Sequence, residues 1–139
     1  MFLNTLSSGF KNGVKVSYKM IIYTFPLYIL VDILKQSGLL AKIGLICSPI
    51  MKLIGLPGEA AIGIISGMTL NMYAAIAALV PLHLNTKEMT IAGLFLGLAH
   101  NLFIETAVLS RAGANGVLIL FVRIVGALIA AGVLNLVWI

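Results

Sequence analysis

The sequence predicts an all-α, polytopic helical membrane protein with a re-entrant hairpin or discontinuous helices, and three observations carry that expectation. Of 139 residues, 61% are hydrophobic and 9% charged, against about a quarter charged in soluble domains. The mean hydropathy is +1.15. The apolar runs are cut internally by Pro, Gly, Lys and small polar residues, so that part of the chain yields no clean helix of the ~20 residues needed to cross a bilayer. No Pro/Gly/Ser-rich linker, charge block or low-complexity tract divides it, and it reads as one transmembrane domain over 1–139. The net charge of +5 comes from Lys and Arg scattered over loops and helix ends, where they meet headgroup phosphates of the lipid bilayer rather than nucleic acid.

Lys11, Lys15 and Lys19 follow one another at i+4, placing three ammonium groups on one helical stripe facing headgroups. Residues 1–19 therefore read as an amphipathic lead-in. No small-x-small cleavage site follows these lysines, so the segment is expected to remain as a helix. Residues 20–34, "MIIYTFPLYILVDIL", continue it as a first membrane helix with a kink at Pro26, and Asp32 and Lys35 form a solvated end pair. From 39 to 84 the apolar run is broken by Lys42, Pro49, Lys52, "GLPGE" at 55–59, Gly63, Gly67, Thr69, Asn71 and Pro81. Such interruption marks re-entrant hairpins or discontinuous helices, which a bilayer tolerates only where protein or a water-filled cavity satisfies the freed backbone. Within it, "LPGE" supplies a turn and sets Glu59 at the N-terminus of the next short helix.

After "LNTKE" at 84–88, residues 89–110 read as one helix, capped by Asn85 or Thr86 and favoured by Glu88 in its first turn. "RAGANG" at 111–116 ends it. Residues 117–139 make a last span, with Arg123 near one end and Trp138 as an interfacial anchor at the other.

The chemistry concentrates in two places. On a continuous 89–110 helix, Thr90, Gly93, Gly97, His100, Asn101 and Glu105 fall within an arc of about 140°, while Ile91, Leu98, Leu102 and Leu109 lie elsewhere. Ionisable groups within a membrane face partners or cavities. His100, Asn101 and Glu105 either hydrogen-bond across helices as packing glue or line a substrate or ion path. The second place is "SGMTLNMYA" at 66–74, where Gly67, Thr69 and Asn71 offer the exposed backbone and directional donors and acceptors that an uncharged polar ligand needs. The alternative there is a kink, with Thr69 bonded back to a carbonyl and Asn71 bridging helices.

His83 is placed at an exposed helix end, and Met68 and Met72 are packing residues rather than metal ligands. Cys47 is the only cysteine, lies in an apolar run and is not expected to be a functional thiol. There is no H-E-x-x-H, G-x-S-x-G or P-loop, and the five-residue spacing of His100 and Glu105 does not reproduce that of a metalloprotease. The expectation is a non-enzyme without cofactor or metal.

"IGLPGEAAIGIISGMTLNMYAAIAALVPLHLNTKEMTIAGLFLGLAHN" resembles the nucleoside-recognition, or Gate, domain over about 38–112. That module occurs in concentrative nucleoside transporters, ferrous-iron permeases and small stand-alone proteins similar to spore maturation proteins A and B. The landmarks are the L-x-G/P-G-E-A turn at 56–60, the short helix ending in Gly67, the polar Gly67 and Thr69, and the capped helix after Thr86. In the nucleoside transporters the segment matching "GMTLN" is a hairpin tip that binds nucleoside through "GQTE"; here Met68 and Leu70 replace the Gln and Glu.

The resemblance implies one inverted-repeat unit of a transporter core. The expected function is a half-size unit that dimerises to form a translocation path for a small polar solute or ion, with a non-transporting membrane scaffold or assembly subunit as the alternative. The substrate-binding residues are expected to be Gly67, Thr69, Asn71, His100, Asn101 and Glu105, and the location a prokaryotic inner membrane. The chain shows no internal duplicate, and a two-sided midplane site forms at a repeat interface, so a partner is required. The even spread of Lys and Arg permits an antiparallel homodimer of dual topology, with a heterodimer of a related module as the alternative, packed partly through Gly63, Gly67, Gly93 and Gly97.

Overall fold

Every regular element among the described residues is helical, as long apolar runs without period-two alternation demand. The computed structural model describes residues 2–138, with the side chains of residues 2–4, 20, 23, 24 and 27 outside that description. Helix α1, Phe2–Gln36, carries Pro26 within its 35 residues. At 1.5 Å per residue it is about 50 Å long, well beyond the ~30 Å hydrocarbon thickness. Gly38, at φ 73°, turns the chain into α2, Leu39–Leu53. The expected pair of Asp32 with Lys35 gives way to other partners. Asp32 accepts from Gln36 Nε2 one turn away at 2.8 Å, while Lys35 Nζ donates to Pro81 O at 2.5 Å.

The interruption after α2 is a sharp one. Gly55, at φ 76°, and Pro57 lead into a 3-10 turn at Gly58–Ala60, which runs on into α3, Ala61–Thr69. The segment Gly58–Thr69 is bent 95° from α2. The chain then reverses at Leu70 and Asn71, and α4, Met72–Leu79, returns along α3. A Cβ on Gly63 would meet Leu79 Cδ2 at 2.4 Å, and one on Gly67 would meet Ala75 Cβ at 2.9 Å and Leu96 Cδ2 at 2.4 Å. These two glycines are thus consumed inside the hairpin and do not form a face for a partner, contrary to the expectation above. Gly93 and Gly97 have nothing within 4 Å of an added Cβ and remain open.

A second 3-10 turn, Val80–Leu82, ends at His83, exposed with φ 52°. Asn85 then starts α5, Thr86–Ala99, with a full capping box: its Oδ1 accepts from Glu88 N and its own N–H donates to Glu88 Oε2, both at 2.9 Å. The expected continuous 89–110 helix is corrected here. His100 is extended (φ −76°, ψ 159°) and Asn101 is left-handed (φ 47°, ψ 36°), so the chain restarts as α6, Leu102–Arg111. The helical-wheel arc that placed Glu105 relative to His100 therefore does not hold across the break. Helix α7, Gly116–Val137, closes the fold, its N-terminus capped by Asn115 through Leu118 N at 3.2 Å.

Small residues let these helices meet. Ala60, Ala61, Ala75, Ala92, Ala99, Ala127 and Ala131 form a buried core with Ile54, Leu56, Ile64, Leu79, Ile91, Phe95 and Leu96, the composition expected where van der Waals packing rather than water exclusion joins helices. Among the described residues, Thr86–Arg111 and Gly116–Val137 are each long and apolar enough to cross a membrane, and the bent pair of α2 with Gly58–Thr69 makes a third such unit, either a broken span or a re-entrant loop. The most apolar window of α7 has a mean hydropathy of 2.7 but only 11% of it is buried within the chain, which leaves that helix to lipid or to another subunit. The chain is an all-α, multi-spanning integral membrane protein.

Candidate functional site

The two interruptions meet. Asn101 N–H donates to Gly67 O at 3.0 Å, tying the α5–α6 break to the last turn of α3, just before the hairpin reverses. Gly67 without a side chain permits this approach, because a Cβ there would enter Leu96. A left-handed Asn101 turns its amide toward the hairpin, and asparagine is among the few residues that adopt this conformation readily.

At the hairpin tip, Thr69 Oγ1 donates to Ile65 O at 2.7 Å, and Asn71 Oδ1 accepts from Ala74 N at 2.9 Å to cap α4. Thr69 is thus bonded back to its own helix and Asn71 serves its own helix start. Both residues are exposed. The Thr69 oxygen keeps its acceptor capacity and the Asn71 amide nitrogen its donors.

Charge gathers at the break. Arg123, at the start of the third turn of α7, reaches three groups at once: Nε donates to Leu98 O at 2.9 Å, Nη2 donates to His100 O at 3.0 Å, and Nη1 lies 2.6 Å from Glu105 Oε2. The last is an ion pair by distance, although its N–H is not aligned as a hydrogen bond. The guanidinium therefore sits on carbonyls that the break leaves without helical partners, at the negative end of α5, while Glu105 occupies the first turn of α6, the positive end. His100 completes the cluster, with Nε2 3.2 Å from Glu105 Oε1 and Nδ1 2.9 Å from Leu96 O. Beside it, Asn101 Oδ1 and Thr106 Oγ1 are buried without a hydrogen-bond partner among the described residues.

Of the residues expected to bind substrate, Gly67 and Asn101 are joined directly, and His100 joins Glu105. Thr69 and Asn71 lie two and four residues along the chain from Gly67. The residue that sequence reasoning did not assign to the site is Arg123, placed there only near one end of the last span. Its signal was present in the sequence: an arginine seven residues inside an otherwise uncharged apolar helix needs an anionic partner within the membrane, and Glu105 is the acid available in the neighbouring helix. Among the described residues no group of three His, Cys, Asp or Glu side chains is placed to hold a metal ion.

The Gate family, described as nucleoside recognition, matches residues 17–128. The chain belongs to the Gate family. The match begins within α1 and ends within α7, so it takes in both interruptions and Arg123. The uncharacterized membrane protein YvoD of Bacillus subtilis is similar to this chain, 38% identical over 138 residues, which are 99% of the chain and 43% of the relative. The chain thus spans less than half the length of that curated relative. Among solved structures, none matches.

Proposed function

We propose that this Gate-family chain is a half-size transport unit, one inverted-repeat module that dimerises to carry a small polar solute or ion through a prokaryotic inner membrane. The observation that supports this reading most is the hydrogen bond from Asn101 N to Gly67 O, because it joins a helical hairpin tip to a broken helix. Paired interruptions of this kind expose backbone groups at membrane depth, where transporters bind their solutes. Thr69, Asn71 and the unsatisfied Asn101 Oδ1 then provide the polar contacts, with His100, Glu105 and Arg123 alongside. A relative more than twice as long as this chain fits the idea that a complete core needs more than one such module.

The same residues support a second reading, a non-transporting membrane scaffold or assembly subunit in which these polar groups only lock helices together. Thr69 and Asn71 each satisfy their own helix, and the contacts of Arg123 with Leu98 O, His100 O and Glu105 hold α5, α6 and α7 together without a ligand.

Solute counterflow into vesicles containing the purified chain separates the two, preceded by a ligand-dependent thermal-shift screen over nucleosides, organic anions, amino acids and divalent metals, since a ligand of the folded state stabilises it by mass action. For a solute found in this way, Thr69→Val and Asn71→Leu are each expected to weaken binding by about 1–3 kcal/mol, the cost of leaving a polar ligand group unsatisfied. Asn71→Leu is also expected to lose about 1 kcal/mol of stability with its cap. Absence of counterflow for every class in the screen, from folded protein, would leave the scaffold reading standing.

The partner is taken to be an inverted copy, with a related module as the alternative. Terminal tags on the full chain are expected to be accessible from both sides of sealed vesicles in substantial amounts. One uniform orientation in a fully active single-component preparation rejects the antiparallel homodimer.

A further inference from the structure

Glu59 is an acid that the fold leaves without a partner. It is half-buried in the 3-10 turn before α3, where the positive end of the helix favours an acid, yet its carboxylate makes no hydrogen bond or ion pair among the described residues. Its side chain fills the space that a glycine leaves on α2: a Cβ on Gly44 would lie 2.8 Å from Glu59 Cδ and 2.9 Å from Oε1. A carboxylate drawn in this far costs free energy until it meets a donor.

Glu59 lines a cavity of about 250 Å³, and the other charged group on its wall is Lys35. The Lys35 ammonium donates to Pro81 O at 2.5 Å, which leaves two of its three donors. Among the described residues the ion pairs are those of Glu105 with His100 and Arg123, so Lys35 and Glu59 do not neutralise each other. Leu40, Pro57, Leu82 and Leu84 supply apolar walls between the two charges' elements. A concave, mostly apolar site with one fixed cation and one fixed anion is complementary to a molecule that carries both charges. Its depth agrees with the membrane boundary. Lys15 and Lys35 stand twenty residues apart on α1, about 30 Å, which is the hydrocarbon thickness, so with Lys15 at one headgroup layer Lys35 lies at the other.

We infer that this cavity binds a zwitterion, with its primary ammonium on Glu59 and its anionic group on Lys35. That chemistry belongs to the phosphoethanolamine headgroup of a membrane lipid and to a free α-amino acid. It does not belong to a choline headgroup, whose quaternary nitrogen has no hydrogen to donate to an unpartnered carboxylate. The site uses none of the residues of the hairpin tip or of the α5–α6 break, and it does not rest on the transport reading.

The full chain in maltoside micelles is titrated with dihexanoyl-phosphatidylethanolamine, dihexanoyl-phosphatidylcholine or alanine, and the unfolding midpoint is followed, since a ligand of the folded state raises it by mass action. The ethanolamine lipid is expected to raise the midpoint to saturation and to bind about tenfold or more tightly than the choline lipid, as the loss of a charge-assisted hydrogen bond requires. Glu59→Gln and Lys35→Gln are each expected to weaken the ethanolamine lipid by about tenfold or more. Lys52→Gln, an exposed lysine outside the cavity, is expected to bind like the wild type. Should one of the two cavity variants fail to fold, the other carries the comparison.

Stabilisation by alanine that both cavity variants lose assigns the site to a free amino acid. Stabilisation by the ethanolamine lipid alone assigns it to the headgroup. Equal binding of the two lipids, wild-type affinity in the cavity variants, or no stabilisation by either the ethanolamine lipid or alanine overturns the zwitterion site. A failed counterflow assay would overturn the half-transporter reading and leave these titrations as they are.

Discussion

Gly58→Ala is expected to destabilise the folded chain by about 3 kcal/mol, at the upper end of what overpacking costs, measured as the loss of unfolding free energy in detergent micelles. The reason is a backbone crossing. A Cβ on Gly58 would lie 1.9 Å from the carbonyl oxygen of Gly44 and 2.7 Å from its carbon. No side-chain rotation relieves a clash with backbone, so α2 and the turn before α3 must separate, and this is the junction at which the chain bends by 95°. Gly44→Ala is the milder counterpart, because a Cβ there meets the Glu59 side chain at 2.8–2.9 Å, which can swing aside. Gly93→Ala and Gly97→Ala supply the control. Both positions are helical, with open space around them, and alanine is favoured over glycine in a helix by about 1 kcal/mol, so the monomer is expected to be unharmed or slightly stabilised. Should Gly58→Ala unfold like the wild type, the close crossing does not hold the bend.

That contrast shows how far the sequence carries the fold. Interruptions in an apolar chain are legible because each has a local chemical cause: "GLPGE" cannot continue a helix, and Asn85 with Glu88 three residues later spells a capping box that forms as written. The role of a glycine is less legible. Gly63 and Gly67 have the same i+4 spacing as Gly93 and Gly97, yet the first pair is covered by Leu79, Ala75 and Leu96 while the second is open. Only the return of α4 along α3 decides between them. The break at His100 and Asn101 is hidden for a different reason. Neither glycine nor proline marks it, apolar residues continue on both sides, and its one local sign is that the residue with φ 47° is an asparagine. The pairing of Arg123 with Glu105 spans eighteen residues across two helices and the 111–116 loop, and no periodicity within one element reports it. The candidate site was therefore readable as a set of polar residues within a membrane, and its closure by α7 was not.

Arg123→Gln is the second large effect, expected to reduce stability by about 2 kcal/mol, because it removes a partly buried ion pair together with two hydrogen bonds to carbonyls at the break. The arginine side chain is 17% exposed, but Glu105 is 39% exposed, and solvent at the carboxylate moderates the penalty. Loss of the fork also frees Leu98 O and His100 O, each an acceptor at the break, at about 1–3 kcal/mol if no water replaces it. Arg123→Lys separates charge from geometry: an ammonium can meet the Glu105 carboxylate, but it lacks the planar set of donors that here reaches two carbonyls and a carboxylate together. It is expected to recover part of the lost stability and not all of it. Combining Arg123→Gln with Glu105→Gln in a double-mutant cycle is expected to give a coupling of about 1–2 kcal/mol, as for other residues in one network. If the two losses simply add, Arg123 stabilises the end of α5 through its carbonyls alone, and Glu105 does not need α7 to stay at the break.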